Sequence, residues 1–202
     1  MKANRHLMKR TLALTAVACI ALTASACGPD VPPETTVDQK TEQFHKLMKR
    51  PDIDQAMATY DEMYGKLRSQ LTATVPSLKW RQTDDVSGSG CGNNFPAVNA
   101  DLRTYDAVER GLPNWVAEGK IPDEQWEAAQ KVADTLLRFY GFDSGPVVVK
   151  NQPSDHYVTF HAPDGSEVTF GTAVNTGLTV RIGCHLTADA KKRGTPAAPP
   201  TY

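Results

Sequence analysis

Tyr157–Cys184, YVTFHAPDGSEVTFGTAVNTGLTVRIGC, is the stretch whose reading decides the fold. Apolar and polar residues alternate through it in three runs, the period of a half-buried strand. Val158 and Phe160 share one parity in the first run, and Val168 and Phe170 do so in the second. Leu178, Val180, Ile182 and Cys184 share it in the third. Pro163-Asp164-Gly165 and Asn175-Thr176-Gly177 supply turn chemistry between the runs. Short connections between consecutive strands imply an antiparallel meander. The apolar parity then faces a core, and Tyr157, Thr159, His161, Glu167, Thr169, Thr179 and Arg181 project from the other face.

Upstream of Gly145 the period is helical, apart from a few short strand readings. Ile121-Pro122-Asp123-Glu124 places Pro and acids in a first turn, and Gly141 sits where a helix ends. Between them Trp126, Ala129, Val132, Ala133, Leu136, Leu137 and Tyr140 form an apolar stripe. A second stripe, Ile53, Ala56, Met57, Tyr60, Tyr64, Leu67 and Leu71, follows the capping-box spacing of Asp52 and Gln55 and stops at Pro76. Its Met and Tyr residues read as core. A shorter helix is expected over Gln39–Lys49. Leu78–Gln82 alternates as a strand, and Val147–Val149 reads as a short, wholly apolar one. Ser87–Pro96 reads as a flexible Gly-rich loop. It lacks the following helix, the third Gly spacing and the Lys of a phosphate-binding loop. Asp101–Val108 reads as a candidate strand and Pro113–Glu118 as a short helical turn carrying Trp115. Helices before and between consecutive hairpins predict an α+β fold, a two-layer sandwich with helices packed on one face of an antiparallel sheet and one disulfide. The expected organisation is a signal peptide over 1–26, a tether over 27–36, a single domain over 37–187 and a disordered tail over 188–202.

The signal peptide reading rests on Leu12–Cys27. Lys2, Arg5, Lys9 and Arg10 precede an apolar run of roughly a dozen residues, too short for the ~30 Å hydrocarbon core. Small residues Ala24, Ser25 and Ala26 then lead to Cys27 and Gly28. Ala24–Cys27 resembles the lipobox of bacterial lipoproteins, with Ala24 where Leu is usual. In such proteins the Cys thiol takes a diacylglyceryl group and becomes the new N-terminus. A start at Met8 would keep a basic leader. Acyl chains contribute about 0.8 kcal/mol per buried CH2, so two or three of them anchor stably. Pro-rich Gly28–Thr36 would span up to about 30 Å as a tether.

Removal of 1–26 takes away four basic and no acidic residues. It leaves 18 basic against 23 acidic groups, a formal charge near −5. Nucleic-acid affinity rests on clustered Lys and Arg, so no nucleic-acid partner is expected. Cys19 leaves with the leader and Cys27 is consumed by lipid. Cys91 and Cys184 remain as an even pair in an oxidising compartment, most simply a disulfide. The alternatives are a reactive thiol or metal ligands, the latter poorly served without a C-x-x-C or a nearby His pair.

Chemistry has few footholds. Ser154-Asp155-His156 has the letters of a triad, but contiguous loop residues cannot supply its geometry. His156 and His161, five apart, fall on opposite faces of a strand, and His185 reads as a capping or surface residue. No catalytic residue, metal or cofactor is expected. The polar sheet face is the remaining candidate, with Tyr157 as an aromatic anchor and Thr159, His161, Glu167 and Arg181 as polar contacts for a partner.

Several motifs together carry a family resemblance. Cys27 is followed by Lys49-Arg50-Pro51-Asp52-Ile53-Asp54 at a helix start, then Val75-Pro76-Ser77-Leu78-Lys79-Trp80 before the Cys91 loop. Ile121-Pro122-Asp123-Glu124-Gln125-Trp126 opens the later helix and Gly183-Cys184-His185-Leu186 closes the pattern. Over Cys27–Leu186 the chain resembles the LppA-type lipoproteins of mycobacteria and related actinobacteria. The resemblance implies a membrane-anchored envelope protein, lipidated at Cys27, with Cys91 and Cys184 as the family's cysteine pair. It brings no established catalytic residues. The expected protein is a non-enzymatic binding or interaction lipoprotein, lipid-anchored on the outer face of the plasma membrane. Its partners would be the membrane, through the lipidated N-terminus, and another envelope protein or a lipid. A carrier of a lipid or small apolar ligand is the alternative and an unrecognised envelope enzyme the third reading.

Overall fold

The computed structural model describes residues 36–99 and 105–198. Cys27, its leader and nearly all of the tether lie outside the described residues, as does the first half of the candidate strand at Asp101–Val108.

Helix α1 covers Val37–Met48 and starts two residues earlier than its apolar pattern announces. The cause is a capping box. Thr36 Oγ accepts from Gln39 N, and the Gln39 side chain accepts from Thr36 N. Helix α2, Ile53–Thr74, is capped by Asp52, whose carboxylate accepts from Gln55 N at 2.9 Å. Its buried stripe is the expected one with Met63 added and Met57 only half-buried. Helix α3, Asp123–Arg138, buries Trp126, Ala129, Ala133, Leu136 and Leu137. The chain then passes Gly141 at φ +89°, a left-handed turn that glycine makes without strain.

The strands are β1 (Trp80–Gln82), β2 (Ser87–Gly90), β3 (Ala107–Gly111), β4 (Trp115–Ala117), β5 (Val147–Gln152), β6 (Asp155–His161), β7 (Glu167–Thr172) and β8 (Thr176–Leu186). They form one open antiparallel sheet, ordered β1-β4-β8-β7-β6-β5. The sheet forks at β8. Its first half pairs with β4 and its second half with β3, which in turn carries β2. Helix α2 packs on β3, β8 and α3, and α3 packs on β6. The space between the layers is filled by side chains with almost no exposure, among them Tyr64, Phe142, Phe160, Phe170, Leu67 and Ile182. Each such side chain contributes about 1.5–3 kcal/mol relative to exposure. The α+β architecture with helices against an antiparallel sheet is the expected one.

Several local expectations are corrected. Ser87–Gly90 is a strand, because its backbone pairs with β3 although it has no apolar side chain to mark it. Trp115–Ala117 is a strand paired with β1 and β8, not a helical turn. Val147–Val149 extends into a six-residue edge strand with every residue exposed, the three valines by 51–61%. The segment expected as a disordered tail instead begins with helix α4, Ala188–Arg193, capped by Thr187. Arg193 is ion-paired to the buried Asp106 carboxylate. Ala197 N donates to that carboxylate and Ala197 O accepts from Lys40. The chain is thus held against α1 as far as Ala197.

Cys91 and Cys184 form a disulfide with Cα atoms 5.7 Å apart, closing 93 residues. Cys184 does not join the main core with Ile182. A register shift between Val108 and Arg110 interrupts the alternation opposite it. The bridge sits in a smaller cluster with Phe44, Leu47, Val98, Ala107, Leu186 and Ala190. That cluster fastens α1 and α4 to the end of the sheet. Glu109 Oε1 lies 3.4 Å from Cys184 Sγ. With both sulfurs bonded to each other, neither is a thiolate ligand or nucleophile.

Candidate functional site

The meander pairs its strands so that the predicted outer-face residues stand in rows. His161 is opposite Glu167, and Glu167 opposite Arg181. Thr159, Thr169 and Thr179 form the next row, and Tyr157, Gly171 and Gly177 the third. Tyr157, Thr159, His161, Glu167 and Arg181 therefore do lie on one face, because strand periodicity and two tight hairpins fix register and parity together.

Glu167 is the hub of the charged row. Its Oε2 lies 3.6 Å from His161 Nδ1 and 3.6 Å from Arg181 Nη2. His161 and Arg181 are exposed and Glu167 is half-buried. Exposed pairs of this length contribute less than about 1 kcal/mol, so the row adds little to stability and can exchange partners cheaply. Thr159 is a correction. At 7% exposure, between Tyr157 and His161 on its own strand, it presents almost no surface to a partner.

The charged row runs into a groove of about 450 Å³ at the fork of the sheet. Asp84, Ser87, Glu109, Arg110, Glu167 and Arg181 are among its lining residues. Ser87, Gly111 and Arg181 are cross-strand partners, so the row His161-Glu167-Arg181 continues onto β3 and β2. Gly88 matters here: a Cβ on it would strike the Arg110 guanidinium, which lies over this glycine. Asp84 is fixed by both the backbone and side-chain amides of Asn114, each at 2.5 Å. Sequence reading missed Asp84 and Arg110. Neither carries a signal until β2 and β3 are known to pair, since the apolar pattern of these short strands is almost blank.

The remaining candidates for chemistry are engaged elsewhere. Asp155 is ion-paired to Lys150, Ser154 Oγ accepts from Lys120, and His156 contacts Asn151 and Asp123 while stacking on Trp126. The letters of the triad do not meet. His185 is corrected from surface to core: it is 1% exposed, with Nδ1 2.9 Å from Pro51 O and Nε2 3.3 Å from Asp164 Oδ2. Asp164 also accepts from Ser166 N and from the Tyr60 hydroxyl. Burial would raise its pKa, but the hydrogen bonds from His185, Ser166 and Tyr60 outweigh that and hold the carboxyl well below the usual range. Tyr60 is pushed up to about 12, first by burial and then by the neighbouring carboxylate, despite the opposing Ser166 hydrogen bond. This network ties the β6–β7 turn to α2 and β8.

The fold and its surface define a disulfide-bridged α+β domain whose sheet presents a polar outer face. The chain belongs to the LppA family, described as a lipoprotein confined to pathogenic Mycobacterium, whose profile matches residues 29–188. In fold it is similar to the crystal structure of the lipoprotein LppA from Mycobacterium tuberculosis, with a TM-score of 0.62 at 13% identity, covering 81% of this chain and 95% of that one. A DUF4853 family protein from Actinomyces odontolyticus aligns with a TM-score of 0.40 at 14% identity, over 69% of this chain and 71% of that one. A search of curated proteins finds no match.

Proposed function

We propose that this lipoprotein is a non-catalytic binding module of the cell envelope. A lipid on Cys27 anchors it to the outer face of the plasma membrane, and it engages its partner through the outer face of the sheet. The observation that carries the reading is the His161-Glu167-Arg181 row continuing into the 450 Å³ groove at the fork. Weakly paired charges of both signs beside a concave surface favour orientation of a charged partner more than they favour fold stability. Filling of the interlayer space by Tyr64, Phe160 and Phe170 supports docking at the surface over carriage of an apolar ligand between the layers.

Two variants test the docking reading. Glu167→Lys and Arg181→Glu should each abolish a protein adduct captured by crosslinking on intact cells, while circular dichroism and Tm stay at the wild-type values. An unchanged adduct pattern refutes it. The anchor is tested separately: Cys27→Ser should end metabolic labelling with palmitate and release the protein from the membrane fraction.

A further inference from the structure

One part of the outer face has a chemistry distinct from the charged row. Gly171 and Gly177 are cross-strand neighbours, and together they floor a hollow of about 290 Å³. Tyr157 forms one wall. A Cβ on Gly171 would lie 2.8 Å from Tyr157 Cδ2, so the ring leans over this glycine, yet it remains 39% exposed. Thr169 lines the hollow and is only 8% exposed, and among the described residues its hydroxyl has no hydrogen-bond partner. Thr179 adds a second hydroxyl. Asn175 Oδ1 accepts from Gly119 N, leaving its Nδ2 without a partner among the described residues. The titratable groups at the edge, Asp155 and His156, are committed to Lys150 and to Asn151 and Asp123.

An exposed aromatic ring, a flat glycine floor and uncommitted hydroxyl and amide groups together suit a ring that is apolar on its face and hydroxylated at its rim. The hollow is near the lower limit of small-ligand sites, about 300 Å³. The absence of a free charge among its lining residues disfavours a phosphate or carboxylate. We propose that this hollow is a subsite for one neutral sugar residue of an envelope glycan, stacked on Tyr157 and hydrogen-bonded by Thr179 and Asn175, with Thr169 at the base of the hollow. The proposal rests on the outer face being the binding face.

The test uses the lipidated full chain in a detergent without a sugar headgroup, with three probes: an N-acetylglucosamine trimer, maltotriose and a galactose trimer. Saturation-transfer NMR and titration should detect at least one, with Kd on the order of 1 mM or tighter. Gly177→Val is the decisive variant, because nothing lies within 4 Å of a Cβ at that position. It should fill the hollow with no loss of Tm and weaken binding at least about tenfold, as should Tyr157→Ala. The crosslink that depends on Glu167 and Arg181 should survive in Gly177→Val, which separates failure of the subsite from failure of the docking face. No binding to any probe, or binding indifferent to both substitutions, overturns the assignment. Loss of the protein crosslink in Gly177→Val without any sugar binding gives the hollow to the protein partner instead, and also overturns it.

Discussion

Asp164→Ala should be among the most destabilising single substitutions in this domain. The carboxylate accepts from Ser166 N at 2.8 Å, Tyr60 Oη at 3.0 Å and His185 Nε2 at 3.3 Å. His185 is 1% exposed and Tyr60 7%, so both would lose their partner in a place water barely reaches. Hydrogen bonds to a charged group contribute about 1.5–3 kcal/mol each, so losing those from Ser166, Tyr60 and His185 together costs about 3–5 kcal/mol after relaxation. That is a large fraction of the roughly 5–15 kcal/mol that holds a domain folded. Thermal unfolding should fall by about 10 °C, at roughly 2–4 °C per kcal/mol for a domain of this size. Asp164→Asn keeps one oxygen for Ser166 N and should cost about half as much, nearer the loss of a single charged hydrogen bond at about 1.5–3 kcal/mol. The pH dependence follows from the depressed carboxyl. A group whose folded pKa lies below its unfolded value contributes fully above the unfolded value, about 4, and loses the contribution as pH falls toward the folded one. The gap between wild type and Asp164→Asn, followed by denaturant unfolding, should therefore be constant from pH 7 to about 5 and shrink below about 4. A gap that stays level down to pH 3, or an Asp164→Ala cost under about 1 kcal/mol, refutes the reasoning.

Four further outcomes are expected. Gly183→Ala should destabilise by about 3 kcal/mol or more, because a Cβ there collides with the backbone of Asp164 and Gly165 in the β6–β7 turn; a Tm near wild type would contradict it. Cys91→Ser with Cys184→Ser should lower stability by about 4–5 kcal/mol in the chain-entropy account. Thiol labelling of the unreduced wild-type domain should find neither of these two cysteines. Glu167→Gln should leave stability within about 1 kcal/mol of wild type in urea unfolding, as its two 3.6 Å contacts reach exposed partners and are screened.

Where the sequence carried a periodic signal, the structure follows it. The α2 and α3 stripes are legible because many apolar residues repeat at helical spacing and a cap or Pro marks the ends. The outer-face rows are legible because Val158, Phe160, Val168, Phe170, Leu178 and Val180 fix the parity of three strands joined by short turns. The misreadings fall where a strand is defined by its neighbour. Ser87–Gly90 has no hydropathy to read, and only β3 makes it a strand. Trp115–Ala117 is three residues long, too short for any period. Val147–Val149 is apolar without being buried, since an apolar run does not say whether its strand lies at the centre or the edge of a sheet. His185 reads as a capping or surface residue because its partners, Pro51 and Asp164, are 134 and 21 residues away. The Lys-, Pro- and Ala-rich segment 188–202 reads as a disordered tail, yet Asp106 and the Arg50 carbonyl hold Arg193 and Lys191 in place.

The central claim, that the outer face of the sheet meets the partner, has a direct measurement. A photoreactive residue is placed at Thr179 on the outer face, or at Lys131 on the exposed side of α3, and intact cells are irradiated. The account predicts an adduct from the Thr179 position and none from the Lys131 position; an adduct from Lys131 alone would contradict it.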